Sequence, residues 1–371
     1  MKNQEITTMS SDDSKLRQAL ARIRTDVRGA HGYAVQPSAG MIKLDTMENP
    51  FRLSDELQRQ LGERLGRVAI NRYPAERTLE LAAALAQHAG MPEGCGITLG
   101  NGSDEIITML SMAIGTPGAK VLAPLPTFVV YEMAARYQGL GFVGVPLTAD
   151  FDLDEAAMLA AIAEHQPALI YLSYPNNPTA NLWDEAVIER IVEAAPGLVV
   201  MDEAYQPFAS RDAMALMQRH AHVLVMRTMS KFGLAGVRIG YLLGRAELVA
   251  EIDKVRPPFN VGVLNAEAGL FALEHAEVYA EQAQILRRER DALLEALPAL
   301  AGVVKVFPSQ GNMILLRVND AARAFAGMKA RGVLIKNVSG LHPLLANCLR
   351  ITVGTPEENQ AMLAALKESL Q

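Results

Sequence analysis

The chain of 371 residues is half hydrophobic and one-fifth charged, with a formal net charge of -6. That length accommodates about two domains at ~150 residues each, and the mild acidity offers no basic field for nucleic acid. No stretch reaches the ~18 unbroken apolar residues of a membrane span, and Met1–Glu5 lacks the apolar run of a secretion signal, so a cytoplasmic protein is expected. Cys95 and Cys348 stand far apart without metal-ligand spacing and read as two small thiols in a reducing compartment, with no metal implied.

In chain order, the first 47 residues hold one amphipathic stretch, Leu16, Leu20, Ile23 and Val27, and then an irregular arm across the Gly29–Gly40 region. From Ile97 onward, short apolar runs alternate with helical patterns, which predicts βα units in a largely parallel sheet with helices on both faces. Strands are expected at Ile97–Leu99, Lys120–Ala123, Leu169–Ser173, Leu198–Met201, Val223–Arg227 and Ile239–Leu243. Between them, helices are expected at Asp104–Ile114, Phe128–Tyr137, Asp154–His165 and Asp184–Ala195, with Gly115 and Gly197 as stops. Pro257 and Pro258 cannot continue the helix expected over Ala246–Val255. Beyond them come a long charged helix at Glu277–Leu297 and strands near Val304–Phe307, Met313–Val318, Val333–Val338 and Leu349–Val353. Helices follow at Ala321–Ala330 and Glu357–Leu370. The expected architecture is therefore α/β: a large domain over 48–255, and a smaller α+β domain over 256–371 joined by the N-terminal arm, 1–47.

Two motifs are set aside on context. Gly139–Gly144 spells G-x-G-x-x-G, but a helix precedes it and a strand follows, the reverse of a dinucleotide site. Leu198–Glu203 looks like the magnesium-binding strand end of a P-loop ATPase, yet no Gly-Lys-Ser or Gly-Lys-Thr occurs to cradle phosphate.

Four polar strand ends remain. In a parallel sheet the carboxyl ends of the strands form the ligand crevice, so Asp202, Tyr205 and Lys231 would bring a carboxylate, a phenol and an amine together there. That is the set a pyridoxal cofactor requires. Asp202 taken alone reads more readily as a helix cap, and only its company at the strand ends favours the ligand role. Gly100–Glu105 follows a strand and opens a helix, where backbone N–H groups can wrap a phosphate, provided the Asp104 and Glu105 carboxylates point away. Ser173–Thr179 carries Asn176 and Asn177 between two prolines. Lys231 sits among Met229, Phe232 and Leu234, which favours partial burial and a lowered amine pKa, and Arg238 follows seven residues later.

With these pieces in order, together with Glu48-Asn49-Pro50, Arg72-Tyr73-Pro74, Pro126-Thr127-Phe128 and Leu349–Gly354, the chain resembles the pyridoxal-phosphate aminotransferases of the aspartate-aminotransferase-like fold type I over nearly its whole length, from about Tyr33. The resemblance implies that Lys231 carries pyridoxal 5'-phosphate as a Schiff base and then moves the proton, and that Asp202 pairs with the pyridine nitrogen. It further implies Asn177 and Tyr205 at the ring hydroxyl, Phe128 on the ring face, and Ser103, Asp104, Ser230 and Arg238 at the phosphate. Tyr73 is expected to reach the cofactor phosphate of a partner subunit, which implies a homodimer with shared sites. Arg350 is the expected clamp for the amino donor's carboxylate, with Tyr33 and Lys336 toward a substrate phosphate. Within that fold the chain is most similar to members that exchange an amino group between L-glutamate and the histidinol-phosphate pair of histidine biosynthesis. Phosphothreonine decarboxylase and aromatic amino acid aminotransferase activities are the alternatives of the same fold, and a non-catalytic pyridoxal-binding protein is the alternative of another class. Where many relatives carry Gly, this chain has Ala180, so no glycine-only backbone angle is expected there.

Overall fold

A computed structural model describes residues 11–30, 32 and 36–371. Expectations for Tyr33 lie outside the described residues. The chain divides into two compact units, 1–39 and 40–371. In the first, the expected amphipathic stretch is two helices, α1 (Ser11–Leu20) and α2 (Thr25–Gly29), and Leu16, Leu20, Ile23 and Val27 are all exposed.

The second unit begins with β1 (Ile42–Lys43), α3 (Asp55–Gly66) and α4 (Ala75–His88). An alternating series follows: β2 (Cys95–Gly100), α5 (Ser103–Ala113), β3 (Lys120–Leu125), α6 (Val130–Tyr137), β4 (Gly141–Pro146), α7 (Glu155–His165) and β5 (Leu169–Ser173). It continues through α8 (Glu185–Ala194), β6 (Leu198–Asp202), α9 (Met214–Arg219), β7 (Val223–Thr228), β8 (Gly240–Arg245) and α10 (Ala246–Asp253). These strands form one seven-stranded sheet in the order β2-β8-β7-β6-β5-β3-β4. Side chains alternate across it because successive Cβ atoms of a strand point to opposite faces. Leu169 and Tyr171 of β5 join the core under α5, α6 and α10, whereas Ile170 and Leu172 join the core under α4, α7, α8 and α9. Apolar runs without alternation are thus explained by a sheet buried on both faces.

One strand departs from the parallel pattern. β8 runs antiparallel to both β2 and β7. The segment 229–239 between β7 and β8 is shorter than the ~12 residues a parallel crossover needs, so the chain can only turn back. Two reversals leave β2 running with β7, and the carboxyl ends of β2, β3, β5, β6 and β7 share one edge. Gly197 also differs from expectation. It is not a helix stop, since α8 ends at Ala194 and Ala195 caps it. A side chain there would collide with the Ala168 backbone, whose carbonyl accepts the Leu198 N–H at 3.0 Å. The Gly139 turn does join a helix to a strand, α6 to β4, as its context requires.

After the two prolines, α11 (Val263–Glu274) packs on α3 and α4, and α12 (Ala276–Ala296) leads into a second layer. There β9 (Val303–Val306), β10 (Met313–Val318), α13 (Ala321–Ala330), β11 (Val333–Leu334), β12 (Lys336–Asn337), β13 (Cys348–Thr352) and α14 (Pro356–Leu370) build a four-stranded antiparallel sheet, β12-β13-β10-β9. The expected strand Val333–Val338 is split. β11 pairs in parallel with β1, and only β12 joins β13. The β1 pairing leads the chain straight into residues 44–49, which lie over the edge described next.

Candidate active site

Lys231 follows β7 on a tight loop whose ends are tied together by Thr228. Its hydroxyl accepts the Ser230 N–H at 3.1 Å and donates to the Ile239 carbonyl at 3.0 Å. The Lys231 side chain is half-buried and its Nζ donates to the Thr46 carbonyl at 2.8 Å. Burial, reinforced by the nearby positive charge of Arg350, lowers the amine to about 8, against the opposing pull of Glu48 and Asp104. Near neutrality a useful fraction of this amine is therefore an unprotonated base.

Asp202 ends β6 and is 3% exposed. Tyr131 Oη donates to its Oδ2, and the Ala204 N–H donates to Oδ1 at 3.1 Å. Burial pushes this carboxyl up to about 6, while the two donors oppose the rise. No basic side chain among the described residues pairs with it. Tyr205, three residues on, is buried against Gly311.

Gly102 stands before α5 at φ 81, where only a residue without Cβ can let the Arg238 guanidinium lie against the backbone. Arg238 Nη1 reaches Ser230 Oγ at 3.4 Å and Nη2 reaches Asp104 Oδ2 at 3.2 Å. Glu105 folds back, accepting the Asn101 N–H and Asn260 Nδ2, each at 2.6 Å. Its carboxylate is thus turned away from the turn, whereas that of Asp104 stays beside Arg238. The first-turn amides of α5 have no side-chain cap, which leaves a positive helix end beside a guanidinium and a serine hydroxyl.

The two asparagines after β5 divide their work. Asn176 is locked, accepting from Thr127 Oγ1 at 2.8 Å and donating to Thr179 Oγ1 at 2.7 Å and to the Pro126 carbonyl at 3.0 Å. Asn177 Oδ1 instead accepts Arg350 Nη1 at 2.6 Å, and Arg350 Nη2 donates to the Asp45 carbonyl at 2.7 Å. Arg350 thus reaches from β13 to the edge of the large sheet. Lys336 faces it directly in the β12–β13 register, so both cations share one face. Phe128 meets Tyr131 edge-on at 5.7 Å. Ala180 corrects the expectation made for it. It adopts the left-handed φ of 62, which costs ~1–2 kcal/mol without glycine. A fully buried methyl and bonds from Ala180 N to the Asn176 carbonyl and from Gln310 N to the Ala180 carbonyl, each 2.7 Å, offset that cost.

Tyr73 stands apart. It is 77% exposed, stacked on Phe259 at 4.3 Å, beside a cleft of about 710 Å³ lined also by Arg64, Arg67, Arg72 and Arg77. That cleft shares no lining residue with the strand-end cluster. Sequence reasoning did not single out Tyr131 or the backbone carbonyls of Asp45 and Thr46. The first is hidden in an apolar helix pattern, and carbonyls carry no residue-type signal at all.

A buried, cation-less carboxylate, a depressed amine and an anion cradle at one sheet edge are the donor set that fits pyridoxal 5'-phosphate. Residues 39–366 match the family model described as aminotransferase class I and II. Histidinol-phosphate aminotransferases of Methylibium petroleiphilum and Polaromonas naphthalenivorans are 67% and 62% identical to the chain, over 97% and 98% of it and 99% and 100% of those relatives. The crystal structure of histidinol-phosphate aminotransferase from Sinorhizobium meliloti in complex with pyridoxal-5'-phosphate is similar at a TM-score of 0.82 and 25% identity, covering 94% of this chain and 98% of that one.

Proposed function

This chain belongs to the class I and II aminotransferases, and on that premise we propose that it moves an amino group from L-glutamate to imidazole-acetol phosphate, yielding L-histidinol phosphate and 2-oxoglutarate in histidine biosynthesis. The observation that carries the proposal is Lys231, a half-buried amine lowered to about 8 at the shared edge of the strands. When bound, pyridoxal 5'-phosphate supplies an aldehyde that accepts amines and a ring that draws off the charge left by a departing proton.

The chain's own residues do the rest. Lys231 would hold the cofactor through Nζ and, once displaced by the substrate amine, take and return the proton at the substrate carbon. Asp202, short of a cation, is the partner for a protonated pyridine nitrogen. Asn177 and Tyr205 bind the ring hydroxyl, and Phe128 covers the ring face. The α5 amides at Ser103 and Asp104, with Ser230 and Arg238, hold the phosphate. Arg350 is buried with a planar fork suited to a carboxylate, and Lys336 beside it, with Tyr33, serves the substrate phosphate. Exposed Tyr73 reaches the site of a second copy, so the working form is a homodimer, in the cytoplasm. No described helix is long and apolar enough to cross a membrane.

The test is a half-reaction. Histidinol phosphate mixed with the loaded protein should convert the cofactor's absorbance to that of the amine form, and glutamate should do the same. Lys231→Ala should lose turnover by at least ~1000-fold. Carbon dioxide release from phosphothreonine, or phenylalanine outcompeting histidinol phosphate, would reassign the substrate, and wild-type turnover by Lys231→Ala would end the proposal.

A further inference from the structure

We infer that Tyr131 is a positioning residue for the reaction, its buried hydroxyl holding the Asp202 carboxylate in one orientation for the cofactor's ring nitrogen. The inference rests on the aminotransferase reading above, in which Asp202 meets that nitrogen. Three observations fix the phenol in place. Tyr131 is fully buried on α6. Its ring stacks on Tyr171 of β5 at 4.2 Å and 3°, and Phe128 meets it edge-on at 5.7 Å and 86°. Its hydroxyl donates to Asp202 Oδ2 while the Ala204 N–H donates to Oδ1.

Each carboxylate oxygen therefore has one neutral donor, and neither donor brings a charge that would compete with a cationic ring. Side chains alternate along β6, so Asp202 lies on the Val200 face, the face that α6 covers. A short stretch of chain, Phe128 to Tyr131, thus supplies both the aromatic cover and the carboxylate's anchor. The groups bearing on Asp202 are Tyr131 from α6, Tyr171 and Ser173 from β5, Asp104 from α5 and the apolar Met226 beside it on β7. Among the titratable side chains of that set, only Tyr131 hydrogen-bonds the carboxylate.

A hydrogen bond to the ionised form favours ionisation, so its loss should shift the carboxyl toward its neutral form. The test uses the full-length protein loaded with pyridoxal phosphate and reads cofactor retention by absorbance at stepped pH, alongside kcat and KM. Tyr131→Phe keeps both ring contacts and removes one oxygen. It should raise the acid midpoint of cofactor loss by about one pH unit, speed cofactor release roughly tenfold and lower kcat by a similar factor, with the KM for glutamate within about twofold. 3-Fluorotyrosine at position 131, a more acidic donor of nearly the same size, should move the acid midpoint the other way. It carries the test should the phenylalanine variant not fold.

Tyr171→Phe is the control, because its hydroxyl reaches the Ile107 carbonyl at 3.5 Å and Ser111 and gives Asp202 no hydrogen bond. It should leave the midpoint in place. In an Asp202→Asn background the effect of Tyr131→Phe should vanish. An unshifted midpoint in Tyr131→Phe, an equal shift in Tyr171→Phe, or a shift that survives in Asp202→Asn would overturn the inference. Loss of transfer in Lys231→Ala and Asp202→Asn with a silent Tyr131→Phe rejects Tyr131 alone. Intact transfer in those two variants rejects the aminotransferase reading itself.

Discussion

Asp202 and Glu203 are consecutive acids, both buried, on opposite faces of the same sheet edge, and they are treated in opposite ways. Glu203 is 1% exposed and accepts Arg227 Nε at 2.8 Å and the Ala213 N–H, while Arg227 extends to Asp212 at 3.4 Å. Asp202 has only neutral donors. Burial pushes both carboxyls up. At Glu203 a built-in guanidinium is the main restraint, and at Asp202 it is a phenol and an amide. The lesson is one of completeness. A buried acid with its cation supplied belongs to the frame and ties β6 to β7 beside the lysine loop, whereas one held ionisable without a cation leaves room for an incoming charge, the role proposed above for Asp202.

Breaking the frame should have the larger effect on stability. Arg227→Met strands a buried carboxylate and should cost about 3–5 kcal/mol in urea unfolding. Adding Glu203→Gln should recover more than half of that, and no recovery would mean the pair is not the source. Asp202→Asn should act with the opposite sign. It removes an unmet charge and should stabilise the cofactor-free chain at pH 7 by on the order of 2 kcal/mol while amino transfer falls at least ~100-fold. Destabilisation comparable to Arg227→Met would erase the contrast between the two acids.

Acidity sharpens the same contrast with a smaller signal. Asp202 binds its proton more tightly folded, at about 6, than at its ordinary 3.8. Its contribution to stability should therefore decline as pH rises from about 4 to 6, and the cost should persist above that. Lys231 is displaced the other way, from 10.5 to about 8, so its cost is full below about 8 and is relieved as pH rises toward 10.5. Difference curves of cofactor-free wild type against Asp202→Asn and against Lys231→Met should isolate the two windows. A flat difference in either window would show that burial does not act on that group. The smallest effect is expected at Ala180→Gly, within about 1 kcal/mol, because relief of the left-handed angle is offset by the lost buried methyl and the looser unfolded chain. A cost well beyond that would mean the methyl matters more than the strain.

Much of this site could be read from residue order. Asp202, Lys231, Asn177 and the Gly100–Asp104 turn all follow apolar runs of strand length, and a βα series must bring such ends to one edge. Arg238 and Arg350 were legible as cations in a recognisable order, though only folding shows Arg350 on Asn177 and Arg238 across Gly102. Tyr131 was illegible, since an aromatic on an amphipathic helix looks like core, which it also is. The antiparallel direction of β8 was not legible, because apolar content reports burial, not direction. α3, α4 and α11 fell outside the expected elements, although they cover much of one face of the sheet.

What the chain's composition and periodicity determined was an α/β layer structure with polar groups at the carboxyl ends of its strands, because hydrophobic runs and helix signals are local. What only the tertiary structure decided was which buried charge received a partner. That choice depends on side chains from α6, β7 and β13 converging on a single edge, and on the backbone carbonyls at 45 and 46 that receive Arg350 and Lys231. Pairing across such distances leaves no local signal, since its energy appears only when the layers close and water is expelled.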